Sequence, residues 1–170
     1  MDTGFDTIGN ATVICYDRGP VLATDPWLSG SAYFGSWILK HPIPEEQLAA
    51  IYACAYIWIS HGHPDHLSSA ALDKLVGKTV ILPDHVGYRI RDSLAAKGHI
   101  VQVLPDREWV SLSDRIRIYC IADYNQDAVL LIDVNDRLLF NMNDAGDQGW
   151  AHSVRKVIRQ YDTSFLLKGS

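Results

Sequence analysis

Residues 55–69 read AYIWISHGHPDHLSS, an apolar run that gives way to three histidines and one aspartate within six residues, His61 to His66. A short continuous apolar run suits a strand covered on both faces, so the polar cluster falls at a strand's end. His61 and His63 are two residues apart, and in extended backbone such side chains point the same way, so both imidazoles can reach one ion. Asp65 and His66 stand at the entrance of the next helix and can face a second ion. Pro64 stiffens the bend between the two pairs and disfavours helix at His63. Imidazole and carboxylate donors suit zinc, iron or manganese, and no cysteine lies near enough in sequence to make a soft thiolate site. The plain alternative is a solvated polar loop, and the density of the cluster at a strand's end speaks against it.

The flanking chain carries alternating element signals. ATVICYD and PVLATDPW, joined by Arg18-Gly19, read as a β-hairpin. LSGSAYFGSWILKHPIP reads as a long surface loop, and PEEQLAAI as a short helix with Pro44 near its first turn. SSAALDKLVG, with Ser68 or Ser69 as cap and Gly77 as stop, and VGYRIRDSLAAKG, closing at Gly98, have helical character. TVILP, HIVQVLP and RIRIYCIA read as strands, DAVLLID and RLLFNMND as a second hairpin, SVRKVIRQY as a helix and SFLL as a last strand. This order predicts sheet packed against helices in layers, α/β with α+β character. MDTGFDTIGN contains an Asp-Thr-Gly, but with no second copy and no apolar strand before it an aspartic-protease reading is set aside.

A chain of 170 residues, 48% hydrophobic and 21% charged, suits a single globular domain with a substantial core. The net charge of −5 and the lack of a Lys/Arg run predict no nucleic-acid partner. Without an apolar leader or a segment of bilayer length, no membrane partner and a cytoplasmic location are expected. Cys15, Cys54 and Cys120 are odd in number and lie in apolar stretches, so buried free thiols are expected rather than a disulfide framework.

SHGHPDHLS resembles the HxHxDH motif of the metallo-β-lactamase fold superfamily. LATDPWLSG upstream and LLFNMNDAG downstream are similar to the strand-end aspartates of the same superfamily, so the likeness runs from about residue 9 to 145. DPWLSGSAYFGSW and NMNDA look most like the branch that holds CMP-N-acetylneuraminate hydroxylases and ascorbate-phosphate lactonase-like proteins. The resemblance implies a layered αββα fold. It also implies a site in which His61 and His63 hold one divalent metal, Asp65 and His66 a second, and Asp144 bridges the two. Asp25 would orient a ligand histidine through a carboxylate–imidazole hydrogen bond. Asp65 and Asp25 are the catalytic candidates, zinc is the expected metal with iron or manganese as alternatives, and a metal-activated water would hydrolyse a small-molecule ester, lactone or phosphoester.

Two departures from the family pattern stand out. The third histidine of metal one is missing from YCIADYNQDAVLLID; Asp123 is the best substitute, with Asn125 behind it and Asp127 possible. Metal two lacks its last histidine, and beyond Asp144 the chain offers only His152. The second half of the layered fold is expected to be mostly absent, the chain being the first half to two thirds of a parent domain, with an exposed edge that favours a homodimer. Two further readings follow: a non-catalytic metal-binding scaffold, or the metal-binding domain of a hydroxylase-like oxygenase whose Rieske cluster would come from elsewhere. Trp27, Tyr33, Phe34 and Trp37 could line a pocket or simply pack. His41 is a candidate for substrate contact, His85 stands at a strand end or a helix entry, His99 reads as structural, and Asn141 and Asn143 could brace the backbone around Asp144 or touch substrate.

Overall fold

The computed structural model describes residues 2–123 and 126–168. Three strands open the chain: β1 (Thr3–Ile8), β2 (Thr12–Asp17) and β3 (Pro20–Thr24). β2 and β3 form the expected hairpin, with Arg18 in the left-handed region at φ 57°. The expected surface loop is more ordered than its composition suggests. It contains a miniature hairpin, β4 (Ser31–Ala32) and β5 (Trp37–Ile38), closed by a 3-10 turn at Tyr33–Gly35. Then come α1 (Glu45–Ala53), β6 (Tyr56–Trp58), α2 (Ser69–Leu72), β7 (Thr79–Leu82), α3 (Arg89–Ala96) and β8 (Ile100–Val103). The remainder is β9 (Trp109–Ser111), β10 (Ile116–Ala122), β11 (Ala128–Val134), β12 (Leu138–Asn143), α4 (Ala151–Ile158) and β13 (Ser164–Lys168).

The first sheet has the order β1-β2-β3-β6-β7-β8, antiparallel through the opening hairpins and parallel from β3 to β8. The second runs β13-β12-β11-β10-β9, with β13 parallel to β12. Alternation along the strands sends side chains to two cores. Val13, Cys15, Leu22, Trp58 and Ile81 meet Ile118, Cys120, Leu130 and Ile132 between the sheets. Ile14, Ala23, Ile57 and Val80 point the other way, onto Ile51 of α1, Leu72 of α2 and Leu94 of α3. On the outer face of the second sheet, Val129 and Leu131 pack under Val154 and Val157 of α4.

The layers are therefore helix, sheet, sheet, helix. The second sheet has five strands and carries a helix on its outer face. β1, a stretch assigned no element from its sequence, pairs along the whole of β2. Its register places Phe5 against Phe165 of β13, ring centroids 5.2 Å apart, where the edges of the two sheets meet. The one ionisable residue of the fully buried β11 is matched: Asp133 accepts from Arg117 Nε at 2.8 Å and from the Tyr161 hydroxyl at 2.9 Å. Cys15, Cys54 and Cys120 are buried free thiols, with burial raising the pKa of each. Among the described residues no helix is long and apolar enough to cross a membrane.

Candidate metal centre

In an open sheet with helix crossovers, the carboxyl ends of the parallel strands leave a crevice where side chains from several loops converge. Asp25 follows the end of β3 and turns the chain at φ 39°, a conformation that aspartate tolerates better than most residues. β6 runs out just before Ser60 and the histidine cluster, so His61 and His63 sit in the loop beyond the strand rather than on it. From the second sheet, β12 delivers Asn143 and then Asp144.

These loops bring two ring nitrogens and a carboxylate together. His61 Nε2 and His63 Nδ1 are 2.7 Å apart, and Asp144 Oδ2 lies 3.7 Å from the first and 3.9 Å from the second. The same Asp144 oxygen is 3.5 Å from His66 Nε2, which is 3.4 Å from Asp65 Oδ2. Two donors each about 2.0–2.1 Å from a tetrahedral ion sit about 3.3 Å apart; the 3.4–3.9 Å carboxylate–imidazole separations lie near that span, while the two ring nitrogens at 2.7 Å stand at hydrogen-bonding distance. His61, His63 and Asp144 place one ligating atom each within 4.8 Å of one another. The group is open on one side, with the His63 side chain 58% and Asp144 35% exposed while His61 and His66 are buried.

Behind the ligating atoms lies a buried relay. Asp25 Oδ1 accepts from the Ser60 backbone N–H at 2.7 Å and from the Ser60 hydroxyl at 3.1 Å. Since that hydroxyl donates to Asp25, its lone pair faces His61 Nδ1 at 2.9 Å and favours a proton there. The tautomer so selected leaves the His61 Nε2 lone pair aimed at His63 and Asp144. Asp25 Oδ2 accepts from Asn143 Nδ2 at 3.0 Å and lies 3.4 Å from His66 Nδ1, which orients the second imidazole in the same sense. One carboxylate thus serves two rings. Burial, followed by the neighbouring His66, pushes the His61 pKa down to about 4. Burial alone would lower His66 too, but the Asp25 hydrogen bond and the charges of Asp25, Asp65 and Asp144 hold it above the ordinary imidazole value.

Asp65 is fixed at both oxygens, accepting from Tyr33 OH at 2.8 Å and from Asn10 Nδ2 at 2.6 Å. Burial would raise its pKa, but these bonds and His66 keep it below the usual carboxylate range. Of the sequence candidates, His61, His63, Asp65, His66, Asp144 and Asp25 come together. Asp123 is buried just past the end of β10. Asp127 Oδ1 lies 3.6 Å from His61 Nδ1; Asn125 lies outside the described residues. His152 is exposed on the first turn of α4, and His41 is exposed in its loop. His85 points inward, its Nε2–H donating to the Asp127 carbonyl at 2.6 Å. Ser60 and Asn10 were not legible as site residues: a serine after a strand and an asparagine in a turn carry no signal of their own.

Burial and the charges of Asp144 and Asp25 raise the Asp127 carboxyl to about 6. A carboxyl whose folded pKa lies above its unfolded value opposes folding once ionised, fully above pH 6 and not at all below about pH 4. Asp127→Asn keeps the acceptor for the Ala128 N–H. It should therefore stabilise the metal-free protein at pH 8 by an amount on the order of 1–3 kcal/mol. Thermal melts in chelator should show the gain fading as pH falls through 6; an equal gain at pH 4 and pH 8 would assign the effect to packing instead.

No family model matches the chain. It is 30% identical over 132 residues to the inactive cytidine monophosphate-N-acetylneuraminic acid hydroxylase of Homo sapiens, covering 72% of this chain and 26% of that protein. It is 27% identical over 129 residues to the corresponding hydroxylase of Danio rerio, covering 71% and 22%. The chain thus spans about a quarter of the length of the curated relatives it matches. Among solved structures it resembles a diiron β-hydroxylase from Streptomyces venezuelae (TM-score 0.67, 18% identity, 96% of this chain and 34% of that one). It also resembles an isothiocyanate hydrolase from Delia radicum gut bacteria (0.64, 18%, 95% and 69%) and a possible metal-dependent hydrolase from Veillonella parvula (0.68, 13%, 98% and 71%).

Proposed function

This chain belongs to the metallo-β-lactamase fold superfamily, nearest its CMP-N-acetylneuraminate hydroxylase-like branch, and we propose that it is a metal-dependent hydrolase of small-molecule esters, lactones or phosphoesters. The observation that carries this reading is the single Asp144 oxygen set 3.5–3.9 Å from nitrogens of His61, His63 and His66. That is the place of a carboxylate shared by two ions. His61 and His63 would hold one ion, Asp65 and His66 the other, and Asp144 both. Bound there, the pair of ions would supply Lewis acidity and make water nucleophilic at neutral pH. The chain's own part is to fix the donors. Asp25 and Ser60 set the imidazole tautomers, Tyr33 and Asn10 clamp Asp65, and the exposed faces of His63 and Asp144 leave an approach for substrate.

Chromogenic esters, lactones and phosphodiesters, assayed with protein reloaded with zinc, manganese or iron, test the proposal. Turnover should disappear in chelator, return with metal, and be absent in Asp65→Ala, which should keep the wild-type circular dichroism spectrum. Turnover that survives Asp65→Ala would rule the reading out. A second reading, the metal-binding domain of a hydroxylase, is favoured by the names of the relatives on both sequence and structure. It requires two irons, no hydrolysis, and oxygen uptake dependent on an electron donor.

A further inference from the structure

The turn at Tyr33–Gly35 is costly for folding and leaves its central side chain, Phe34, in solvent. Tyr33, Phe34 and Gly35 follow one another in the left-handed region at φ 49°, 57° and 91°, a conformation that opposes any residue with a Cβ. Strain of this kind persists where surrounding structure enforces it and clusters at binding sites. Phe34 gains nothing in return, since its side chain is fully exposed, and Trp37 and Ile38 on the same small hairpin are exposed as well. Folding alone would favour glycine at position 34.

What holds the hairpin is the metal centre. The Tyr33 hydroxyl donates to Asp65 Oδ1 at 2.8 Å, its ring stands edge-on to His63 at 6.1 Å and to Trp37 at 5.0 Å. His63 is also the ligand candidate most open to solvent. The cavity of about 290 Å³ near the site is lined by His61, Gly62, His85 and Tyr88 and includes none of Asp65, His63 or Asp144, so it serves a different flank.

We propose that this hairpin is a substrate-recognition flap, and that Phe34, Trp37 and Ile38 receive an apolar, preferably aromatic, group lying next to the part of the substrate held at the metals. The inference deepens the proposed function and rests on its metal centre, though not on hydrolysis. The occupant is a substrate group because the patch is continuous, through Tyr33, with Asp65 and His63.

Hydroxamates bind metals whatever reaction the site performs, so acetohydroxamate and benzohydroxamate are compared on zinc-loaded protein by calorimetry. Benzohydroxamate should bind at least about tenfold more tightly, the scale of one well-packed aromatic contact. In Phe34→Gly that ratio should fall towards one while the melting temperature stays at or above the wild-type value, because glycine relieves the left-handed strain. Equal affinities in the wild type, or an undiminished ratio in Phe34→Gly, would overturn the flap alone. Failure of acetohydroxamate to bind at all would overturn the metal centre and the flap with it. A dimer in light scattering that becomes a monomer in Phe34→Gly would assign the patch to a second copy of the chain, which also overturns the proposal.

Discussion

Asp144→Ala is expected to abolish turnover and lower metal affinity by more than about 100-fold, the upper end of what losing a group behind the ligands costs. The reason is its place: one oxygen faces nitrogens from three imidazoles, so no other residue can take over both halves of the site. The same carboxylate contributes little to the metal-free fold. Its side chain is 35% exposed, and removing it takes a negative charge away from Asp127, whose carboxyl it helps to raise. The two effects therefore separate. In chelator, wild type and Asp144→Ala should melt together or the variant slightly higher. With metal at about a hundred times its dissociation constant, the wild type should gain about 2.7 kcal/mol and the variant nearly nothing. Thermal melts with and without zinc check this; equal metal-induced shifts in the two proteins would place the ion elsewhere.

Asp25→Ala should do the opposite and strike the fold first. Asp25 is fully buried, and its removal strands the Ser60 N–H and hydroxyl, Asn143 Nδ2 and His66 Nδ1 together. Buried donors without acceptors cost about 1–3 kcal/mol each, and partial relaxation brings the total to about 3–5 kcal/mol, at the severe end for one substitution. Asp25→Asn keeps the volume and one acceptor, so it should lose less stability. It presents an amide to groups that already donate, however, so the tautomers of His61 and His66 are no longer enforced. Metal affinity should fall roughly 10–100-fold even where the fold survives. Denaturant unfolding of both variants, paired with zinc titration, distinguishes the two roles. Wild-type stability in Asp25→Ala would contradict the relay.

Much of this was legible before the structure because the strongest signals were local. A buried strand ending in His61–His66 fixes its own place in a layered fold, and aspartates at the ends of two other apolar runs, Asp25 and Asp144, had to converge on it once the strands were parallel or sandwiched. The parts that escaped depend on partners distant in sequence. β1 has little apolar alternation because it is a half-buried edge strand, defined by its pairing with β2 and by Phe5 meeting Phe165. The hairpin of β4 and β5 reads as loop because its conformation is imposed by Tyr33 bonding Asp65, 32 residues away. In the loop before β11, residue type alone could not separate Asp123 from Asp127. Asp127 Oδ1 lies 3.6 Å from His61 Nδ1, a proximity set by the packing of the two sheets and not by residue type. Ser60 draws its role wholly from lying between Asp25 and His61.

The central claim is a two-ion centre built by His61, His63, Asp65, His66 and Asp144, and elemental mass spectrometry of protein purified without chelator tests it most directly. Two equivalents of zinc, iron or manganese per chain, falling below one in Asp144→Ala, is the predicted result. Wild-type protein with no bound metal, or a content that Asp144→Ala leaves unchanged, would contradict it.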